Sequence, residues 1–376
     1  MMKKKSFKPI VLGSIITIGL AILFVSLTFQ TNGHSQEKNL VRRKNEIVRI
    51  IQERGDLDTK LRRQVLDCRT AVELESLYQS IDKKFLSRVP FDGERSYQVL
   101  KDLCAIGTRA SGSKGMEQQR KYLEKYLTTL GGKVELQSFD IRHPEDGSRV
   151  TMHNMIVRWH PGRQNGILLC AHYDTRPFPD QDPDPNARRG VFLGANDGAS
   201  GVALLCGLAH YMQALKGPYG VDFVFFDGEE FVFQKDRDPY FLGSTKFARD
   251  YLENPPAHRY RWGVLLDMVA DEQLQIYQEV NSWKYARPLV QDLWSVARKL
   301  GVTEFRQQRR HEIRDDHLPL NEIARIPTCD IIDFDYPRPG GRTSYWHTRQ
   351  DNPDHCSAVS LARVGWVVHE WLRQLK

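Results

Sequence analysis

Three apolar runs that break off into acids or a histidine constrain this chain more than any other feature. GILLCA (166–171) leads into His172 and Asp174, VDFVFF (221–226) into Asp227, Glu229 and Glu230, and WGVLL (262–266) into Asp267. With TCDIIDFDYP (328–337) they have the length and apolarity of buried strands, and the segments between several of them read as helices. GASGVALLCGLAHYMQAL (198–215) is the clearest of these helices. Strands alternating with helices predict an α/β fold, doubly wound, with a mostly parallel central sheet flanked by helices. In such a sheet ligands bind in the crevice outside the carboxyl ends of the strands. The three runs therefore carry their polar residues to one edge, and they are too apolar to be solvated loops.

The rest of the chain divides by composition. Residues 1–33 read as a signal anchor or signal peptide: Lys3, Lys4, Lys5 and Lys8 precede the uncharged run Ile10–Phe29, and roughly 20 apolar residues suffice to span a bilayer. Lysines on that side favour a cytoplasmic N-terminus and an exported remainder, either membrane-anchored or secreted. Residues 34–90 read as a helical extension, with Ile47, Ile50 and Ile51 on one face, Leu74, Leu77 and Ile81 on another, and Gly55 between two helices. Residues 91–376 carry the strands. Ser113 is placed to cap a helix running to Leu130, Gly131–Gly132 to end it, and KVELQSFDIR (133–142) has strand character with a face change at Gln137–Ser138. Much of the net charge of +7 lies outside this last region. No groove-entering motif is visible, so a nucleic-acid partner is not expected. The six cysteines form no CxxC pair, which argues against a cysteine zinc site and leaves disulfides or buried free thiols open.

Two further residues join the strand-end set. Asp197, in FLGANDGASG, can cap the helix that follows, ligate a metal, or do both. His347 lies in SYWHTRQDN near the end of the sheet. Histidines and carboxylates without cysteine suit a catalytic zinc site, and a carboxylate can bridge two such ions. The adjacent Glu229–Glu230 makes sense if one is a ligand and the other a base. Asp174 reads as an orienter of His172, His317 and Asp316 as braces of their own turn, and His311 and His355 as surface residues.

The ordered series HYD, NDGASG, DGEE, LLD and WHT resembles the zinc aminopeptidase superfamily that also contains the animal-type glutaminyl-peptide cyclotransferases. The similarity covers roughly residues 95–376 and includes GTRASGSKGMEQQRKYL. The resemblance implies Asp197, Glu230 and His347 as metal ligands and Glu229 as general acid/base. It implies His172 and Asp267 as second-site ligands if two metals are held, with Asp197 bridging. RDDHLPL (314–320) resembles a cyclase segment, which makes Asp315 part of an acidic hydrogen-bond network with Asp267, and Ile313 and Trp346 pocket residues. A cyclase holds one Zn²⁺ and an aminopeptidase two; a non-catalytic binding module on the same fold is the third reading. The expected partner is a peptide or protein N-terminus, acted on by a monomer. The sequence departs from the cyclases at Lys235, where they carry a Trp. Whether Phe231 or Phe233 replaces that ring is open, and the family's disulfide does not transfer to Cys170 and Cys206. The insert at 175–190 reads as a solvated polar loop.

Overall fold

The computed structural model describes residues 36–254, 256, 259–335 and 344–376. The run Ile10–Phe29 lies outside them, and among the described residues no helix is long and apolar enough to cross a membrane. The chain divides into two compact units, the first ending at Ile81 and the second running Asp82–Lys376. That boundary falls inside a helix, Ala71–Leu86.

Among the described residues up to Leu86, three helices form where the sequence suggests two: α1 (36–53), α2 (Thr59–Asp67) and α3 (Ala71–Leu86), the last crossing the end of the first unit. Gly55, at φ 76°, turns the chain after α1, and Asp58 caps α2 by accepting from Leu61 N at 2.6 Å. Thr70 and Glu73 cap α3 reciprocally, each side chain accepting from the other's backbone N–H. The isoleucine face of α1 meets Val65 and Leu74 in one buried cluster, with Leu77 and Ile81 at its margin.

The second unit is built on a six-stranded sheet in the order β1-β2-β4-β3-β5-β8. Its strands are β1 (Lys133–Arg142), β2 (Arg149–Trp159), β3 (Asn165–His172), β4 (Tyr219–Phe226), β5 (Arg259–Asp267) and β8 (Thr328–Ile332). β4, β3, β5 and β8 are parallel, while β2 and β1 add an antiparallel flank. β6 (Ile276–Gln278) and β7 (Phe305–Arg309) form a separate parallel pair. In β1 the half-buried positions change parity at Glu135–Leu136, slightly before the expected place.

Alternate residues of β3 face opposite cores. Ile167, Leu169 and Ala171 pack with α4 (Gly93–Ile106), α6 (Ser200–Met212), α8 (Val280–Leu300) and α10 (Ala358–Gln374). Leu168 and Cys170 pack with α7 (Leu242–Glu253) and α9 (His317–Glu322). Helices on both faces explain why β3 and β4 are apolar almost throughout instead of alternating. The helix α5 (Lys114–Thr129) opens on Ser113, which accepts from Met116 N. All six cysteines are free thiols; Cys170 and Cys206 belong to the cores on opposite faces of the sheet.

The approach of α6 to the sheet fixes the site. A Cβ on Gly201 would lie 2.0 Å from the carbonyl oxygen of Leu266, so only glycine lets the helix sit this close to β5. On the same face, Arg363 of α10 and Glu304 form a buried pair at 2.6 and 2.7 Å. Removing one partner strands a buried charge. Arg363→Ala should therefore lower the unfolding free energy of the larger unit by about 3–5 kcal/mol in urea titrations. Replacing both residues by Met should recover most of that loss.

Candidate active site

The carboxyl ends of the parallel strands bring the acids and histidines together. His172 ends β3, Asp267 ends β5, and Glu229–Glu230 lie on the turn after β4. The Asp174 carboxylate accepts from Glu229 N at 3.1 Å and from Glu230 N at 3.0 Å. It thus holds the turn and sends the two glutamates in different directions. It also faces His172 Nδ1 at 3.7 Å and accepts from Ser111 Oγ at 3.5 Å, so it braces the glutamate turn and the histidine together.

Glu230 is tied down: Oε2 accepts from Arg176 N at 3.1 Å, and Oε1 lies 2.7 Å from His347 Nε2. Glu229 instead lines the cleft, its Oε2 3.9 Å from His172 Nδ1.

Asp197 stands between the two histidines. Its Oδ1 is 3.3 Å from His172 Nε2 and its Oδ2 3.3 Å from His347 Nε2. Asp197 does not cap α6: the helix starts at Ser200 with no side-chain cap. The carboxylate is drawn to the histidines, and the backbone is held from behind. Asp351 accepts from Asn196 N at 2.8 Å and from Asp197 N at 3.1 Å. Gly198, at φ 92°, completes this loop, since a Cβ there would lie 2.5 Å from the Asp174 carbonyl oxygen.

These distances fit a metal. Two ligand atoms bound tetrahedrally to Zn²⁺ at its usual bond lengths lie about 3.3–3.4 Å apart. Asp197 meets both histidines at that separation, and His172 Nε2 lies 3.2 Å from Asp267 Oδ1. Buried Asp197 Oδ2 and His347 Nε2 have no well-aligned hydrogen-bond partner in the protein, although Glu230 Oε1 approaches Nε2 to 2.7 Å, a crowding of donor atoms that a shared cation accounts for. His172, Asp197 and Glu230 also offer one ligand atom each within 4.8 Å of one another. Asp197, Glu230 and His347 form one candidate set; His172 and Asp267 can complete a second around the shared Asp197.

Charge density shifts the titration of the whole cluster. Burial opposes the charged form of His172, yet Asp267, Asp174 and Asp197 hold it well above the usual histidine range. Burial pushes Glu229 well above the usual carboxyl range, with His172 pulling the other way. Asp315 is raised by burial and then by Asp267 and Asp316.

A cleft of about 340 Å³ opens on this cluster. Glu229, Asp267 and Asp315 line it together with the metal-facing groups. Ile313 and Trp346 form its apolar wall with Met268, Ile332 and Phe334. Phe231 and Phe233 do not replace the missing Trp: they pack with His143 away from the lining, and Lys235 stands on the wall itself. Asp316 accepts from Ser244 Oγ at 2.5 Å. His317, fully buried, lies 3.4 Å from Glu279 and 3.8 Å from Asp330. His311 and His355 are half-buried rather than surface residues.

The insert at 175–190 is not simply a solvated loop. Arg176 and Asp182 are buried, and Asp182 accepts from Arg349 N at 3.0 Å while Gln181 N donates to the His347 carbonyl at 3.1 Å. Arg109, fully buried, donates to the carbonyls of Leu193 and Gly194 just before Asp197. Neither role is visible in the sequence, where these residues look like ordinary polar loop positions.

Residues 154–372 match the model of peptidase family M28. This chain belongs to that family. It is 26% identical over 284 residues to a glutaminyl-peptide cyclotransferase of Drosophila melanogaster, covering 68% of this chain and 75% of the relative. Its fold matches that of Fimbriiglobus ruber glutaminyl cyclase with a TM-score of 0.72 and 38% identity, over 76% of this chain and 96% of the other. A Zn-dependent exopeptidase from Parabacteroides distasonis matches with a TM-score of 0.70 and 32% identity, over 76% and 99% of the two chains. The carboxylate and imidazole donors of this M28 chain suit the zinc that its relatives' names carry.

Replacing Asp197 or His347 by Ala should weaken zinc binding by more than about 100-fold, beyond the range seen when only a supporting partner is lost. Competition against a chromophoric chelator measures this directly.

Proposed function

We propose that this chain is a zinc-dependent glutaminyl-peptide cyclotransferase, converting N-terminal Gln of peptides to pyroglutamate with release of ammonia. The observation that carries the reading is the division of labour on one turn. Glu230 is held by Arg176 and His347, while neighbouring Glu229 faces a cleft walled by Ile313 and Trp346 and floored by Asp267 and Asp315. The likeness to proteins named glutaminyl cyclase supports it.

Asp197, Glu230 and His347 would hold Zn²⁺, which supplies a Lewis acid for the γ-amide carbonyl and the charge developing on its oxygen. The apolar wall packs the side-chain methylenes and keeps water from the reacting carbon, so the peptide's own α-amine is the nucleophile at hand. Its nitrogen bonds to the γ-amide carbon as the bond to the amide nitrogen breaks. Glu229 takes the proton from the α-amine and returns it to the departing ammonia. Asp267 and Asp315 hold the nitrogen groups being exchanged.

A second reading rests on a specific contact. His172 Nε2 lies 3.3 Å from Asp197 Oδ1 and 3.2 Å from Asp267 Oδ1, an arrangement that suits a second ion in an aminopeptidase. Metal analysis separates the two: one zinc per chain supports cyclisation and two support hydrolysis. A binding module without catalysis is disfavoured by the intact set of ligand positions and the base. The run Ile10–Phe29 behind its lysines supports an exported enzyme, anchored in the membrane or secreted; a monomer acting on peptide N-termini completes the reading.

Incubation with a Gln-initiated and a Leu-initiated peptide, followed by mass spectrometry, tests the reaction. Ammonia should be lost from the first and the second left intact; release of free Leu would replace this reading with the aminopeptidase. Glu229→Gln should lower kcat by about 10²–10⁴-fold with zinc content unchanged, and full activity in that variant would remove Glu229 from the mechanism.

A further inference from the structure

The segment Arg176–Gln181 makes contacts that a surface loop has no reason to make. Arg176 is almost fully buried and grips the Asp180 carboxylate with two nitrogens, Nε at 2.8 Å and Nη2 at 3.2 Å. Its Nη1 lies 3.4 Å from Glu230 Oε1. Asp180 Oδ1 in turn lies 3.5 Å from His347 Nδ1, and the Gln181 side-chain amide 3.2 Å from the same nitrogen. His347 Nε2 closes the circuit at Glu230 Oε1, 2.7 Å away. Four side chains from three separate parts of the chain thus form one ring: Glu230, Arg176, Asp180 and His347.

The ring meets His347 on the edge opposite its metal-facing nitrogen. A ligating imidazole is fixed in tautomer and orientation by what its other nitrogen donates to, usually a carboxylate or a carbonyl. His347 also has unusual need of such help. Its backbone is left-handed, at φ 55°, a conformation that costs energy in a non-glycine residue and persists only where neighbours impose it. The loop grips that backbone too, through Gln181 N on the His347 carbonyl.

We propose that Arg176–Gln181 is a positioning clamp for the metal ligands. Asp180 receives the Nδ1 proton of His347, with the Gln181 amide, whose nitrogen lies 3.2 Å away, turned over to present its oxygen to that proton; this leaves Nε2 free to ligate. Arg176 holds Asp180 in place and steadies Glu230 through the same guanidinium, a fork geometry that lysine does not reproduce. Asp180 stands outside the cleft lining, while Arg176 and Gln181 reach its edge; the clamp acts through His347 and Glu230. The inference rests on Asp197, Glu230 and His347 being the zinc ligands.

Asp180→Ala is the direct test, because the carboxylate is 41% exposed and its loss leaves no buried hole. Zinc affinity is read by chelator competition on the full chain, and the Co²⁺-substituted protein gives the visible spectrum of the ligand field. Asp180→Ala and Arg176→Lys should each weaken zinc binding by about 10–100-fold and alter the Co²⁺ spectrum, and Asp180→Glu should restore part of the affinity. Asp184→Ala removes a carboxylate of the same loop that lies 3.5 Å from Arg349 and outside the ring; it should bind zinc like the parent. Parental affinity and spectrum in Asp180→Ala would overturn the clamp alone, as would an equal loss in Asp184→Ala, which would mark a general loosening of the loop. A parent chain that takes up no zinc would overturn the ligand assignment and the clamp with it.

Discussion

The two oxygens of Asp197 face two histidines from distant parts of the chain, His172 at the end of β3 and His347 near the C-terminus. That shared carboxylate is the point on which the catalytic unit is organised. A buried anion is tolerated only where cations or donors surround it, and here they come from every side. The histidines meet the side chain, Asp351 takes the backbone N–H of Asn196 and Asp197, and Asn196 Oδ1 accepts from Ala270 N just beyond β5. Arg109 fixes the approach to this loop through the carbonyls of Leu193 and Gly194. The close packing of α6 on β5 at Gly201 sets how far the loop reaches over the strand ends. A shift in any of these would move Asp197 relative to both histidines at once.

Backbone strain gathers around the same cleft. Among the residues lining it, Phe241, Met268 and His347 all have positive φ, at 60°, 49° and 55°. Non-glycine residues are held there only when surrounding contacts over-determine them. His347 has such contacts in Gln181, Glu230 and Asp197; Met268 follows Asp267 directly and packs against Ile313 and Ile332. Strain at both His347 and Met268 turns the chain sharply beside a metal-facing side chain, which is how one wall of the cleft comes to carry a polar edge and an apolar face.

Much of this was legible in the sequence because the signals are local. The apolar runs of β3, β4 and β5 announce buried strands, and the polar residues directly after them must lie at the carboxyl edge whatever the rest of the chain does. The cap on α5 at Ser113 depends on neighbours in sequence and was equally visible. β2 was not: His153 and Asn154 interrupt its apolar run, and the partners that make them acceptable, Ser138 and Gln137 across the sheet and Gly243 beyond it, come from elsewhere in the chain. The alternatives left open for Asp197 could not be decided for the same reason, since a local preference for the helix terminus yields to two histidines that the sequence does not show to be near. The loop at 175–190 carries the composition of a solvated insert, and only the fold reveals that Arg176 and Asp182 are buried against His347, Glu230 and Arg349.

The acids that are not tied to a histidine bear on which chemistry the cleft favours. Asp315 is pushed well above the usual carboxyl range by burial and by the nearby Asp267 and Asp316, and Asp267 itself is raised by burial against the pull of His172. So many carboxyls in one low-dielectric pocket cannot all stay ionised without compensation. A second cation at His172 and Asp267 would supply it; so would protons retained on Asp267 and Asp315. The second solution leaves carboxyl groups able to donate as well as accept hydrogen bonds, which suits a reaction that exchanges one nitrogen for another on the same carbonyl carbon. Asp315 lines the cleft with Glu229 and Asp267, so either form of compensation acts in the space that the substrate enters, and the crowding of acids that raises these carboxyls is also what makes this edge of the sheet a place for a cation.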